Sequence, residues 1–560
     1  MKFLWKIILI ILITAPVVYA RDVTEIKWPL SISAEKIITS TGEKESIYKD
    51  EHTEYNKDIL PPAAPSFLSV RTNSALRESR GGTVSLVRYI LEFRREPTDT
   101  ELEILKNLNC KIEVQVFNMV QLLIPVEKIE IIKGLNFIKN FRLPSDVEEN
   151  SRIIHSVAFN KSEEFSPINL EEAHKLGYLG QNVRIAILDT AFDPAHPFFH
   201  KNIYYTLSFR SQNKNIRVGN IEHGNAVTEI VTTVAPGAKI ILANFETDVE
   251  YMRALKELIN QPVYLRPNII VTAVNIILPD DYYDGSGIRA RLAHLARQKG
   301  ITLVSSAGNN AQTHYMGKFF DSNGNDLHNF TNKDDSLEID VKRGDKIRIV
   351  LAWKDNWNNP GEDLDLGFFD DNLDPLQISD TKQTRTKAHP YELIEMIAPY
   401  SGTYHIAIKK GIKVSNNLPF MIYVYSISAD NMEYFNPETS LDPGLPTAVD
   451  GITVGAVQNL YPYQLEPWSS QGKTTDNRIK PDIVAPGGIY CKSIQNMFSG
   501  TSAATPQVAG ALALLLSKNP SLNPYELKKI LKNTAQDLGM PGEDPVFGSG
   551  LLNIYKALLY

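Results

Sequence analysis

Three side chains lying far apart in the sequence are of the types that nucleophilic hydrolysis needs: Asp189, His223 and Ser502. Ser502 sits in Phe498-Ser-Gly-Thr-Ser-Ala-Ala-Thr-Pro-Gln-Val-Ala-Gly510, where small residues give way to an apolar, helix-like run at 511–516. A serine at the start of a helix faces unpaired backbone N–H groups and the positive end of the helix dipole, a setting that stabilises an oxyanion. It becomes a nucleophile only if a base takes its proton, and a carboxylate is needed to hold an imidazole base in the right tautomer. His223 opens a second helix-like stretch that Pro236 ends, and Asp189 closes an apolar strand at 183–189. Catalytic groups in parallel α/β sheets gather beyond the C-terminal ends of the strands. The order Asp, His, Ser is one of the known triad orders. The α/β-hydrolases run Ser, Asp, His with Gly-x-Ser-x-Gly at the nucleophile, and here the serine sits in Gly500-Thr-Ser-Ala-Ala. Taken singly, Ser502 would be a helix N-cap, Asp189 a strand-end cap and His223 a polar helix start.

The chain has 560 residues, a formal net charge of -7, 43% hydrophobic and 22% charged residues, an ordinary globular composition. Its length implies about three domains with real cores. The acidic excess argues against nucleic acid as a main partner. Lys2 and Lys6, the apolar stretch 7–18 and Val18-Tyr-Ala20 read as a secretory signal peptide over 1–20. It is too short to span a bilayer comfortably, and no other stretch is long enough. The expected product is secreted or periplasmic, with no membrane span once the signal is removed. The two cysteines, Cys110 and Cys491, fall in different units, so no lasting disulfide is expected and Cys491 reads as a buried thiol.

Residues 21–82 read as a leader or linker punctuated by Pro61-Pro-Ala-Ala-Pro65. Over 83–145 the pattern gives strands at 87–93, 111–117, 120–125 and 137–142. Two helices lie between them, the first opened by the capping box Thr98-Asp-Thr-Glu101. That β-α-β-β-α-β order is ferredoxin-like. A charged, irregular stretch at 144–166 reads as a processing linker. An α/β unit with a parallel sheet begins near 166, with strands at 183–189, 239–244 and 269–278 and a strand over 301–310 that ends in a turn carrying Asn309. Beyond 315 the texture changes to short strands at 337–341, 346–353, 364–369, 392–397, 403–409 and 420–427, the signature of an all-β sandwich. The α/β pattern returns at 451–457 and 481–486. The sandwich, 319–432, is therefore an insertion between two parts of one domain, 166–318 and 433–560.

Four segments together carry a specific resemblance. Asp189 lies in Ala-Ile-Leu-Asp-Thr-Ala-Phe-Asp-Pro, His223 begins a His-Gly block, Asn309 closes Ser305-Ser-Ala-Gly-Asn, and Ser502 lies in Gly500-Thr-Ser-Ala-Ala-Thr-Pro506. Ser469-Ser-Gln-Gly and Ile479-Lys-Pro-Asp-Ile-Val-Ala-Pro-Gly487 match the approach to the serine. In this order they resemble the signature blocks of the subtilisin-like serine proteases, the subtilases, over about 168–315 and 440–560. The resemblance implies a subtilisin-like three-layer catalytic domain in which Ser502 attacks a peptide carbonyl. His223 would be the base and then the acid, Asp189 would orient it, and Asn309 with the Ser502 N–H would bind the oxyanion. It also implies that 83–145 is a propeptide acting as folding assistant and tethered inhibitor. The insertion resembles the pre-peptidase-like β-sandwich modules of secreted bacterial subtilases.

Four positions depart from the family pattern. The histidine block reads His223-Gly-Asn-Ala, Ala191 replaces a glycine, and Gln507 replaces a common histidine. The run taken as the substrate strand is Ile277-Leu-Pro-Asp280, where Pro279 has no N–H to offer a bound peptide. Asp321-Ser-Asn-Gly-Asn-Asp326 and Glu362-Asp-Leu-Asp365 have carboxylates at calcium-like spacing without the full loop signature. They read as exposed turns. No cofactor or metal is expected, and calcium stays open without a full motif to support it. His155, His174, His196 and His314 carry no catalytic pattern. The expectation is a secreted serine endopeptidase acting on proteins or peptides and made as an autoprocessed precursor. Its rival is a catalytically silent subtilase fold that binds through the sandwich.

Overall fold

The computed structural model of the protein describes residues 85–145, 147–149, 152–153, 165–332, 334–386, 388–426 and 432–560, with Trp28 and Leu76–Arg77. The expected signal peptide, nearly all of the 21–82 leader and most of the processing linker, His155 included, lie outside the described residues.

Among the described residues, seven parallel strands form the central sheet. Their spatial order is Ile483–Pro486, Ile452–Val457, Thr302–Ser306, Ile269–Thr272, Arg184–Asp189, Lys239–Asn244 and Ile203–Ser208. Period-two alternation assigns each face a layer of helices. Ile185, Ile187, Leu242 and Val271 share a core with helices Ile221–Val234 and Thr501–Lys518. Ala186, Leu188, Ile241 and Ile270 share the other with helices Asp248–Ile259 and Ile288–Gln298. The architecture is the expected three-layer α/β/α arrangement. Burial on both faces explains why these strands are almost continuously apolar.

Local details differ from the sequence reading. The apolar run at 269–278 is two strands: Ile269–Thr272 stays in the sheet and Val274–Ile276 leaves it after Ala273. Hydropathy carries no mark of this break, because both pieces are buried. Helix Asp248–Ile259, capped reciprocally by Thr247 and Glu250, and strand Ile203–Ser208 have no counterpart in the sequence reading. The histidine helix starts at Ile221, with the Asn220 side chain accepting from the Glu222 N–H, so His223 lies inside the first turn. Gly500, at φ 115°, is the N-cap of the serine helix, which leaves Ser502 in its first turn rather than at the cap.

The N-terminal unit has the ferredoxin-like order Ile138–Arg142, Leu86–Phe93, Met119–Pro125, Lys111–Val116, all antiparallel. Its first helix, Asp99–Asn107, carries the Thr98/Glu101 capping box. Ile90, Val114 and Val116 join one apolar cluster with Tyr251, Met252 and Leu255 of the catalytic domain. Polar contacts gather at the start of that catalytic helix. The Thr247 hydroxyl donates to Gln121 Oε1 (2.6 Å), Gln121 Nε2 donates to Glu250 Oε1 (3.3 Å), and Arg142 pairs with Asp248.

The insertion is a sandwich of two four-stranded antiparallel sheets. One orders His314–Lys318, Pro419–Tyr425, Lys346–Trp353 and Tyr391–Ile397. The other orders Leu337–Val341, Gly402–Lys410, Leu364–Phe369 and Pro375–Ser379. Trp353, Phe368, Tyr404 and Phe420 fill the space between them. In the first calcium-like stretch, the Lys410 ammonium lies 3.1 Å from Asp321 and 2.9 Å from Asp326. Among the described residues, no three metal-capable side chains converge, and no helix is long and apolar enough to cross a membrane. Cys110 and Cys491 are buried and unbridged.

The sandwich contains a titration that bears on its stability. Burial pushes the Glu392 carboxyl up to about 8; hydrogen bonds from Ser379 and Gln383 oppose the rise, and Asp365 and Asp363 add to it. The unfolded chain ionises this group near 4.5, so its contribution is full below that pH and is lost as pH rises towards about 8. The melting temperature should fall over that interval, and Glu392→Gln should flatten the fall. Equal slopes in both proteins would mean that the carboxyl is not held neutral.

Candidate active site

Asp189 ends an interior strand of the sheet, and the first turns of the histidine and serine helices point at the same spot. His223 Nδ1 lies 2.7 Å from Asp189 Oδ2, and His223 Nε2 lies 3.2 Å from Ser502 Oγ. All three residues are withdrawn from solvent: Asp189 and Ser502 are 0% exposed and His223 is 2% exposed. A carboxylate only accepts, so Nδ1 must carry the proton, which leaves the Nε2 lone pair towards the serine. Phe498 closes one side of the ring edge-on, with centroids 5.1 Å apart. The serine hydroxyl has one proton, and here it is donated to the Ala273 carbonyl at 2.7 Å. Because Oγ already lies 3.2 Å from Nε2, a turn of the hydroxyl about its Cβ–Oγ bond redirects that proton to Nε2.

Asn309, on the turn after strand Thr302–Ser306, accepts from both the N–H and the hydroxyl of Thr501, each at 3.0 Å. These two donors require the amide oxygen to face Thr501. The Asn309 NH2 is therefore the end left free, with no protein partner among the described residues. The Ser502 N–H, in the same first helical turn, is the natural second donor to an oxyanion.

Two glycines allow these elements to approach. A Cβ on Gly224 would fall 2.2 Å from the Ala191 carbonyl, and one on Gly510 would fall 2.6 Å from Val234 Cβ. The departures from the family pattern have local roles. Asn225 accepts from the Asp193 N–H at 2.9 Å, and Gln507 donates to the carbonyls of Pro486 and Ala503. His174 meets the Val234 carbonyl, His196 stacks on Phe199, and burial pushes His314 down to about 4. None of the three enters the site.

The substrate strand requires a correction. The strand beside the nucleophile is Val274–Ile276, directly after Ala273, and not the run 277–280. Pro279 lies beyond it, so its missing N–H does not bar strand addition. That strand already has an antiparallel partner in Val147–Glu149, with Ile276 opposite Val147 and Val274 opposite Glu149. On the other side of Ser502, Asn496–Ser499 pairs with Arg152–Ile153, with Ser499 opposite Arg152. The chain that leaves the N-terminal unit thus occupies the strand positions on both sides of the nucleophile.

One buried residue without a sequence signal ties the site together. Asp442 is 0% exposed and accepts from Asn310 Nδ2 (2.7 Å), Asn275 Nδ2 and the Tyr425 hydroxyl (3.2 Å). Its own N–H donates to the Ala307 carbonyl at 2.9 Å. It therefore links the substrate strand, the Asn309 turn and the last strand of the sandwich.

The model of the subtilase family matches residues 180–329 and 396–550, more than half of the chain. The chain belongs to the subtilase family. The serine protease AprX of Bacillus subtilis is 35% identical over 140 residues, 21% of this chain and 31% of that protein. Subtilisin BL of Lederbergia lenta is 47% identical over 80 residues, 14% of this chain and 29% of that protein. The match spans about a third of the length of these curated relatives. The Clostridium perfringens CspB protease structure aligns with a TM-score of 0.51 at 17% identity, covering 71% of this chain and 99% of that one, which shows a shared fold.

Two substitutions probe the positioning of this subtilase site. In peptide hydrolysis, Asn309→Ala should lower kcat about a hundredfold with KM little changed, as for loss of one oxyanion donor. Asp442→Ala removes the buried acceptor shared by Asn275, Asn310 and Tyr425, so it should destabilise the protein by about 3 kcal/mol and lower kcat more than it raises KM. An unaltered kcat in either variant removes that residue from its assigned role.

Proposed function

We propose that this subtilase is a secreted serine endopeptidase that cleaves proteins or peptides through an acyl-enzyme and is made as a precursor that cuts itself. The observation that carries the reading is the Asp189–His223–Ser502 chain of contacts, set between two strands that already pair with a stretch of the protein's own backbone. In the mechanism, His223 Nε2 takes the Ser502 proton as Oγ attacks the carbonyl carbon. Asp189 stabilises the imidazolium, and the Asn309 amide and Ser502 N–H bind the oxyanion. His223 then protonates the leaving amine, and water repeats the sequence on the acyl ester.

A peptide substrate would add as a strand to Val274–Ile276, in the manner of Val147–Glu149. The main-chain ladder fixes register without reading side chains, which suits an enzyme acting on many sequences. Val147 packs on the apolar cluster that contains Ile276 and Leu278, so an apolar side chain is favoured at that place along a substrate. The N-terminal unit, held on the helix Asp248–Ile259, would act as inhibitor by keeping its tail in the cleft. Similarity to AprX, a serine protease, supports the class of activity.

Intact mass and N-terminal sequence of the purified protein beside its Ser502→Ala variant test this reading. The wild type should acquire a new N-terminus between Glu149 and Arg152, and the variant should keep the N-terminal unit attached. The processed wild type should degrade denatured casein, and the variant should not. A wild type that stays uncut and inert towards casein would sink the proposal.

A further inference from the structure

The N-terminal unit touches the inserted sandwich as well as the catalytic domain, and it does so through charge. Glu92, on strand Leu86–Phe93, places Oε2 2.7 Å from His389 Nε2 of the sandwich. Lys139, on the neighbouring strand, reaches Glu92 Oε1 at 3.2 Å and donates to Asn358 Oδ1 of the sandwich at 2.7 Å. The other nitrogen of His389 lies 2.7 Å from the Trp357 carbonyl, and the Trp357 ring stacks on the imidazole with centroids 5.1 Å apart. A carbonyl and a carboxylate both accept only. Both ring nitrogens must therefore carry protons, and the contact is made by an imidazolium. Burial alone would raise the Glu92 carboxyl, yet His389 and Lys139 hold it down to about 2. A cavity of about 220 Å³ lies where the three units meet.

We infer that the inserted sandwich is a clasp for the N-terminal unit: His389, Asn358 and Trp357 hold Glu92 and Lys139, and this contact sets how slowly the unit leaves after the chain is cut. The inference rests on the proposed function for its biological meaning. The catalytic domain holds the unit by an apolar face and by the Arg142–Asp248 pair, so the clasp is a separate point of attachment on a different domain. A unit held by two domains leaves only when both contacts open together, as in any bivalent complex. Other charged or titratable groups at the junction are Lys139 and Arg142 of the N-terminal unit and Tyr391 of the sandwich. On the catalytic side they are Asp248, Asp280, Arg289 and Arg291. Arg142 is paired with Asp248 and Arg289 with Asp280, so these charges are already matched at the junction.

The test uses the full chain with Ser502→Ala and a recognition sequence for an added protease inserted within 154–164. Nicking there frees the unit without any self-cleavage, so the result does not depend on the proteolytic reading. Dissociation of the N-terminal fragment is then followed by size-exclusion chromatography and surface plasmon resonance. Glu92→Gln and His389→Asn should each speed dissociation about tenfold, and the double variant should be no faster than the faster single variant, since both remove the Glu92–His389 contact. Lys106→Ala, in an exposed pair with Glu103, is the control and should match the parent. Asn358→Ala, which removes only the Lys139 contact, replaces either variant that fails to fold. Rates within about twofold of the parent, or additive effects, would overturn the clasp. Failure of the wild type to cut itself would instead overturn the proposed function and leave this result standing.

Discussion

The site depends on a close backbone contact between two helices. His223 and Ser502 are 279 positions apart in sequence, yet their side chains must meet at hydrogen-bond distance. They do so because the serine helix lies directly on the histidine helix at Gly510, where a Cβ would strike Val234. Gly224 brings the other side of the histidine helix against Ala191, two residues after Asp189. An added methyl at either place would push a helix outward, and the hydrogen bonds of a triad do not tolerate displacements of that size. The apolar residues around both helices form a single cluster with one face of the sheet, so the contact is backed by the largest core of the protein.

The inserted sandwich is continuous with this arrangement. Its strand Pro419–Tyr425 carries Tyr423, stacked on Tyr283 of the catalytic domain at 5.0 Å and donating to the carbonyls of Thr439 and Leu441. Tyr425 reaches Asp442, which in turn holds the Asn309 turn and the substrate strand. The chain leaves the catalytic domain just after Asn309 and re-enters it at the buried carboxylate that fixes that turn. A β insertion at this point has a structural consequence for the oxyanion side of the site. The same insertion meets the N-terminal unit through His389.

Much of the architecture was legible because local chemistry and pattern agree. The Thr98/Glu101 capping box starts a helix where the sequence requires one, and the apolar strand ending on Asp189 lies inside the sheet between two parallel neighbours. Elements were misplaced where burial erases pattern. Residues 269–278 are almost all apolar and buried on both sides of Ala273, so the break there is not marked by hydropathy, and the substrate strand was displaced by several residues as a result. Helix Asp248–Ile259 was not read although the Thr247/Glu250 capping box announces it. Asn310 and Asp442 could not have been paired from sequence, since a buried carboxylate shows its partners only after folding.

The sequence by itself determined the types and order of the reactive groups, the alternation of a parallel sheet with helices, and the interruption of that pattern by an all-β insertion. These follow from side-chain chemistry and from periodicities of two and 3.6 residues, which are local properties. Only the tertiary structure decided which strand adjoins the nucleophile, that residues 147–149 and 152–153 lie on either side of it, and that Asp442 and His389 join the insertion to the other two units. Those facts depend on which backbone edges are left unpaired and which charges are buried together. Long-range packing fixes both, and neither leaves a trace in the spacing of residues along the chain.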